Sequence, residues 1–255
     1  MTAADAATAW TTGVKQVLII RIDFSDFPGD PVTSGVGFSS FGAGPLTQQK
    51  ALDFMNQVVN PVFLQFSYGQ TSLVTTATAK VYRMPQLASV YALKFGNIDQ
   101  MYADATTLAA ADYAVAAYDR VIIAFTDLSK VAGSAFNFSG AASVMGGRLW
   151  INGGLGSTTH ELGHTYGLYH ANFWQVTDGD PLSPTGTSLE TADPFDTMGA
   201  GSGYVGAHFN LWFKNILGWV PDTSVTTVTT SGTYRIYAFD HSAAPLDQRL
   251  SLIHI

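Results

Sequence analysis

The sequence contains no cysteine, and only 12% of its 255 residues are charged. The absence of cysteine excludes disulfide bonds and thiolate metal sites, although a chain of this length can bury a core large enough to fold without cross-links. The formal net charge of −7, with 12 scattered Lys and Arg residues, argues against a nucleic-acid partner. No segment approaches the run of about 18 apolar residues that a membrane-spanning helix needs.

The two ends of the sequence do not follow the pattern of a folded domain. Residues 1–10 lack a basic n-region and a long apolar stretch, so they are not a signal peptide, and we interpret 1–13 as a leader remnant. The final LSLIHI matches the translation of a transposon end used in preparing sequencing libraries. We therefore interpret 250–255 as a non-native tail; the alternative is a natural apolar end. An acidic chain rich in Ser, Thr and Gly and poor in Lys is typical of secreted proteins, so we expect secretion.

Hydrophobic periodicity along the rest of the chain predicts a mixed α/β (α+β) domain. Residues 47–66 carry apolar side chains at helical spacing, and Pro61 is expected to kink or split that helix. Residues 172–194 are polar and rich in Pro and Gly, which predicts an irregular loop. The other predicted helices are 97–118, a segment beginning just before 160, and 207–219; the predicted strands are 14–23, 72–82, 120–125 and 148–152.

The pattern changes after residue 221. Residues 14–221 hold the helices and strands predicted above, which indicates one large domain. Residues 226–240 are Thr-rich and alternate in the manner of a β-hairpin. We therefore expect 222–249 to be the start of a separate β-rich module.

The densest cluster of reactive side chains is HELGHTYGLYH, which begins at His160. It holds three of the six histidines and one of the two glutamates. On a helix, His160 and His164 lie on one face about 6 Å apart, which lets both imidazoles reach one zinc ion at about 2.1 Å. Glu161 then lies beside the metal, where it can take a proton from water. Gly167 permits the turn that brings His170 to the same point.

The alternative is a helix that happens to be rich in histidine. For HExxH by itself this alternative has real weight, because five-residue patterns recur by accident. For the whole pattern His-Glu-x-x-His-x-x-Gly-x-x-His, an accidental match in a chain of this composition is on the order of one in a few hundred thousand. The extended pattern therefore favours one catalytic Zn²⁺ held by His160, His164 and His170, with the fourth position open.

The extended motif resembles that of the metzincin clan of zinc metalloendopeptidases. Metzincins have a methionine turn beneath the metal, and Met198 in DPFDTMG stands where such a turn would fall. The acidic run before this Met-Gly pair and the helix ending in LGW are most similar to the gametolysin-type family and related bacterial peptidases. The resemblance covers 14–221 and implies a metzincin-like zincin domain: a twisted mixed sheet, a long active-site helix and a Met-turn.

The resemblance implies hydrolysis of peptide bonds in an extended polypeptide substrate. Glu161 would activate the attacking water and pass its proton to the leaving amine, and we expect the enzyme to be a monomer. The segment Arg148, Leu149, Trp150, Ile151 and Asn152 precedes the motif. We expect it to be the edge strand of the sheet, which binds substrate by adding a strand.

Several further residues are weaker candidates for the site. Some metzincins carry a tyrosine two residues after the turn methionine, where this chain has Ala200, so the nearby Tyr204 and His208 are possible auxiliary groups or packing residues. Carboxylates are the other candidates. Asp193 and Asp196 would orient a histidine, bind a structural cation or cap the turn; Asp178 and Asp180 would bind Ca²⁺ or form Asx-turns.

Two other functions remain open at this point. The first is a catalytically idle binding module that keeps its zinc for structure, which the intact Glu161 disfavours. The second is a zinc hydrolase of non-peptide amides, which the open cleft implied by the resemblance disfavours.

Overall fold

The computed structural model describes residues 9–37, 40–95, 97–180, 183–203, 207–235 and 250–253. The strands of its main sheet are β1 (Gly13–Asp23), β4 (Thr71–Ala77), β5 (Tyr82–Arg83), β6 (Arg120–Phe125), β7 (Gly140–Ala142) and β8 (Arg148–Asn152). Their order in the sheet is β4-β1-β6-β8-β7, with β5 also paired to β1. These pairs are parallel except for β7 and β8, which are antiparallel, so the expected mixed α/β fold is confirmed.

The core lies on both faces of the central strand β1. Alternate side chains of β1 point to opposite faces. Val17 and Ile19 join one apolar cluster, while Leu18 and Ile20 join the other. A strand buried on both faces reads as a continuous apolar run, which is why this strand could be predicted from VLIIRI.

Helices cover the two faces of the sheet. The first cluster includes residues of α1 (Gln48–Phe54), α2 (Asn60–Phe66) and the motif helix α5 (Thr158–Tyr166). The second cluster includes residues of α3 (Ala88–Ala92) and α4 (Asn97–Ala109). The last helix is α6 (Leu211–Ile216). The predicted helices 97–118 and 207–219 are therefore each longer than the observed ones.

The predicted helix 47–66 is interrupted just before Pro61 by a π-helical segment, while the backbone stays helical throughout. A π-helical turn, Met55–Val59, joins α1 to α2, and the Asn60 amide donates to the Met55 carbonyl oxygen across five residues. Proline has no amide hydrogen and crowds the preceding turn, and the wider π turn accommodates it.

The predicted irregular loop 172–194 contains a hairpin. Strands β9 (Phe173–Val176) and β10 (Gly186–Leu189) pair antiparallel after the third histidine. Both strands are exposed or half-buried along their whole length, so they lack the apolar alternation that marks a strand in the sequence. Residues 181–182 of the connection lie outside the described residues.

The remaining strands are short and lie outside the main sheet. β2 (Val32–Thr33) pairs with β3 (Gly44–Pro45), and β11 (Val225–Val228) pairs in parallel with β12 (Leu250–Ile253). The expected hairpin of the C-terminal module lies partly beyond the described residues, as do parts of the leader and of the tail. In the part of the chain that the structure describes, no helix is long and apolar enough to cross a membrane.

Candidate metal centre

The motif helix α5 is short and ends at a glycine. It spans nine residues and stops at Gly167, which adopts φ +115°, a left-handed conformation that favours glycine. The Gly167 amide donates to the His164 carbonyl oxygen, and the Leu168 amide donates to that of Gly163. This pair of bonds is the Schellman arrangement that closes a helix. The expectation of a long active-site helix is therefore wrong, and the early end turns the chain back toward His160.

The turn at Gly167 brings the three predicted ligands together. His160, His164 and His170 each offer one ring nitrogen, and these three atoms lie within 4.8 Å of one another. The ring centroids are 4.9–5.3 Å apart. Three nitrogen ligands at this separation can hold a metal ion.

In each of the three imidazoles, Nδ1 lies within hydrogen-bond distance of an oxygen acceptor. Nδ1 of His160 lies 2.8 Å from the Thr197 carbonyl oxygen, and Nδ1 of His164 lies 2.7 Å from that of Leu168. Nδ1 of His170 lies 2.9 Å from Glu190 Oε1. A carbonyl or carboxylate oxygen only accepts, so Nδ1 must be the donor in each ring, which leaves the lone pair on Nε2. Fixing the tautomer in this way is what a histidine-ligated metal site requires.

Burial keeps the two helix histidines neutral. It lowers the pKa of His160 to about 4 and also lowers the pKa of His164, because the charged imidazolium is poorly solvated there. A metal ion binds neutral imidazole, so protons compete weakly for these two ligands near neutral pH.

Glu161 lies beside the histidine cluster in an apolar environment. Its side chain is 6% exposed, and burial raises the pKa of its carboxyl group to about 8. A carboxyl group with its pKa near the working pH can both accept and return a proton. Together with the cluster, this placement makes Glu161 a general acid–base candidate.

Strand β7 lies very close to the Glu161 side chain. A Cβ added at Gly140 in β7 would lie 2.5 Å from Glu161 Cγ and 2.8 Å from its Oε1. A side chain at residue 140 would overlap Glu161, so glycine is what allows β7 to lie this close to the carboxyl group. Sequence reasoning missed Gly140 because SGAAS shows neither apolar alternation nor a turn motif.

Met198 lies buried beneath α5. A Cβ added at Gly163 would collide with the Met198 sulfur, so the turn packs tightly against the helix between the first two ligands. The Ala171 amide donates to the Met198 carbonyl oxygen at 2.9 Å. The preceding residue, Thr197, supplies the carbonyl that orients His160. Two adjacent residues of the turn therefore contact the motif: Thr197 binds the His160 imidazole, and Met198 packs against Gly163.

The two aspartates before Met198 shape this turn and do not contact a ligand histidine. Asp196 is fully buried, and its two carboxylate oxygens accept from the Met198 and Asn210 amides, both at 2.6 Å. Asp193 accepts from the Phe195 amide at 2.9 Å, as in an Asx-turn. Of the roles considered for them, the structure shows turn capping.

The third ligand's partner, Glu190, was not predicted. It directly follows β10 and reaches back across the hairpin to His170, 20 residues earlier. One signal was present in the sequence, because this chain has two glutamates and the first is already in the motif. Glu190 takes the orienting role that was considered for Asp193 and Asp196.

The other candidate residues lie away from the three histidines or outside the described chain. Tyr204 is outside the described residues. The His208 ring lies 4.5 Å from that of Phe66, and its Nδ1 is 3.2 Å from Lys214 Nζ, which makes it a packing residue behind the turn. Asp178 accepts from the Asp180 amide and from the Ser183 hydroxyl, so it forms an Asx-turn.

The strand Arg148–Asn152 is not at the sheet edge, so that expectation is wrong. It is β8, which lies between β6 and β7, and its last four residues are buried. The edge strand is β7, whose small residues gave no strand signal in the sequence. β7 and the three-histidine site border one cleft of about 580 Å³.

A buried arginine links α5, at Thr165, to the rest of the fold. Arg120 donates from Nε to the Thr165 hydroxyl at 2.9 Å, and its guanidinium group lies 3.8 Å from the centre of the Trp10 ring. Trp10 Nε1 in turn donates to the Thr165 carbonyl oxygen at 2.8 Å. Tyr166 and Thr71 join their hydroxyl groups at 2.9 Å nearby. These contacts fix the helix that carries two of the three ligands.

The site therefore combines three oriented imidazoles with one buried carboxyl group at the side of a cleft. These residues can hold one metal ion, and its identity is a separate question. No family model matches this sequence, and a comparison with curated proteins also returned no match.

Proposed function

We propose that the protein is a zinc metalloendopeptidase whose general acid–base is Glu161. The observation that carries this proposal is the buried Glu161 carboxyl group next to three imidazoles that each offer one ring nitrogen within 4.8 Å of the others. A purely structural metal site needs no such base, and a three-ligand site leaves a coordination position open. Three imidazoles without a thiolate suit zinc among the common metals. The resemblance of the motif to that of metzincins supports the same function.

The chain's own residues supply the remaining chemistry. When bound, zinc would act as a Lewis acid and would lower the pKa of water, so that water can lose a proton and attack a carbonyl near neutral pH. Glu161 takes the proton from the attacking water and delivers it to the nitrogen of the leaving amine. The apolar surroundings that raise the pKa of Glu161 favour its holding that proton between the two steps. The lack of a side chain at Gly140 leaves room for the carboxyl group in this position.

Strand β7 offers backbone groups to an extended substrate. The Ser143 amide donates to Arg148, and the Asn152 amide donates to Ser139, so odd-numbered positions bond to β8. In an antiparallel pair alternate residues face opposite sides, so the N–H and C=O groups of Gly140 and Ala142 point toward the cleft. A polypeptide that adds a strand here would pass directly beside Glu161.

The cleft favours apolar side chains in that substrate. Its walls carry Phe95, Phe138, Val144 and Tyr169, and among the described residues that line it there is no Lys or Arg. The carboxyl groups in the cleft belong to Glu161 and Glu190. A peptide with aromatic or aliphatic residues near the scissile bond should therefore be cleaved faster than one with acidic residues, because acidic residues would face these carboxyl groups.

The partners and location follow from the same proposal. An extended polypeptide is the substrate, and the enzyme acts as a secreted monomer on proteins in its surroundings. The acidic, lysine-poor composition supports secretion.

Changing Glu161 to Gln tests the mechanism. The variant should bind zinc through its three histidines but lose at least about 10³ in kcat, with KM little altered, because the base acts mainly in the transition state. The matched variant His164→Ala removes a ligand, so metal content and activity should fall together. Cleavage of an apolar peptide library and metal content by elemental analysis are the measurements.

Two outcomes would contradict the proposal. If Glu161→Gln keeps more than about a tenth of wild-type proteolysis, this carboxyl group does not lower the barrier. If the zinc-loaded wild type cleaves no peptide in a broad library, the idle binding module becomes the better description.

A further inference from the structure

The third ligand, His170, has a different kind of hydrogen-bond partner from the other two ligands. His160 and His164 donate to backbone carbonyl oxygens, whereas His170 donates to a carboxylate at 2.9 Å. A hydrogen bond to a charged acceptor is stronger than one to a neutral acceptor. Both glutamates of the chain thus border the same cleft as the imidazoles of His164 and His170.

The hairpin β9–β10 is what brings Glu190 to His170. His170 lies three residues before the first strand of the hairpin, and Glu190 directly follows the second. Across its base, the Thr191 amide donates to Asn172 Oδ1 at 3.1 Å. Thr191 adopts φ +57°, a left-handed conformation that is costly for a β-branched residue. The backbone next to Glu190 is therefore held in place by the hairpin base.

We propose that Glu190 is a positioning residue that tightens metal binding by acting through His170. Its carboxylate fixes the Nδ1–H tautomer and the ring orientation, and it makes Nε2 a stronger electron donor. His170 needs this support most, because it follows the helix on a loop and its side chain is 32% exposed. The inference rests on the metal-binding part of the proposed function and not on peptide cleavage.

The contact adds little to the stability of the metal-free fold. The Glu190 side chain is 76% exposed, and exposed ion pairs contribute little because water screens them. Its effect should therefore appear when a metal ion occupies Nε2. Loss of an acidic partner of a ligand histidine typically weakens metal binding about 10–100-fold.

Three variants separate this role from general electrostatics. Glu190→Ala removes both the acceptor and the charge, while Glu190→Gln keeps an acceptor oxygen and removes the charge. Asp180→Asn removes one negative charge from the β9–β10 connection, ten residues away from both His170 and Glu190 in the sequence, which makes it the matched control. Zinc affinity and the zinc release rate are measured by competition with a chromogenic chelator.

Glu190→Ala should bind zinc about 10–100-fold more weakly, Glu190→Gln should lie between it and the wild type, and Asp180→Asn should match the wild type. The thermal midpoint of the metal-free protein should be the same in all four. With cobalt(II) in place of zinc, the visible absorption bands should move in both Glu190 variants and stay in Asp180→Asn, because those bands report the field of the ligands.

Three results would overturn the inference. Zinc affinity of Glu190→Ala within about twofold of wild type would show that the contact does not act on the metal. An equal loss in Asp180→Asn would assign the effect to net charge. A wild type that binds no zinc would remove the inference together with the proposed function, whereas a wild type that binds zinc but cleaves nothing would remove only the peptidase proposal.

Discussion

Replacing Glu161 by Gln in the metal-free protein measures how strongly the fold penalises the ionised base. Burial raises the pKa of Glu161 from 4.5 to about 8. Between these values the folded protein keeps a proton that the unfolded chain releases, so stability is present below 4.5 and is lost as the pH rises through 8. Gln has the same shape and no charge to bury, so the variant should not lose this stability.

The size of the effect follows from the change in pKa. At about 1.4 kcal/mol per pKa unit, Glu161 costs the folded wild type at most about 5 kcal/mol of unfolding free energy above pH 8. Variant and wild type should be equally stable near pH 4, and the variant should be more stable by up to this amount near pH 9. Urea denaturation at both pH values, with a chelator present, measures the difference. The chelator is needed because a bound metal ion would reverse the local electrostatics.

Glu190→Gln is the matched control for this experiment. It makes the same chemical change at the chain's other glutamate, whose side chain is 76% exposed. The control should therefore gain no comparable stability at pH 9. Equal stability of wild type and Glu161→Gln at pH 9, or an equal gain in the control, would refute the reasoning that burial sets the properties of Glu161.

Three shorter predictions concern the same elements. Gly140→Ala should displace the Glu161 carboxyl group and lower kcat at least about tenfold while zinc affinity stays unchanged, since the ligands do not touch residue 140; steady-state kinetics and chelator competition check this. Zinc should be retained at pH 6 and released toward pH 4, because burial lowers the pKa of His160 to about 4; zinc release followed against pH checks this. Removing 250–255 should leave the melting temperature and the activity unchanged, and a clear drop in melting temperature would show instead that the pairing of β11 with β12 stabilises the fold.

Features that arise from neighbouring residues could be predicted from the sequence. The buried strand β1 and the helix interruption just before Pro61 follow from local patterns, and so does the end of α5 at Gly167. The three ligands were predictable for the same reason, because the helix repeat and one glycine turn determine their positions.

Features that depend on distant segments could not be predicted in this way. The edge position of β7 depends on which strand lies outside β8, and its three small residues carry no hydrophobic signal. The hairpin β9–β10 is exposed or half-buried along its length, and its apolar residues do not alternate with polar ones, so the sequence gives no strand pattern there. Glu190 meets His170 because of that hairpin, so its role was hidden together with the hairpin.

The two glutamates show how one side chain can serve two purposes at one centre. Glu161 is buried against Gly140, where its pKa is raised and a proton can be exchanged. Glu190 is exposed on the outer side of His170, where its carboxylate accepts a hydrogen bond at 2.9 Å. A carboxyl oxygen that accepts a hydrogen bond from an imidazole is suited to orienting it, and a buried carboxyl group with a raised pKa is suited to proton transfer. The same residue type therefore serves for proton transfer at position 161 and for orienting His170 at position 190, because the two environments differ.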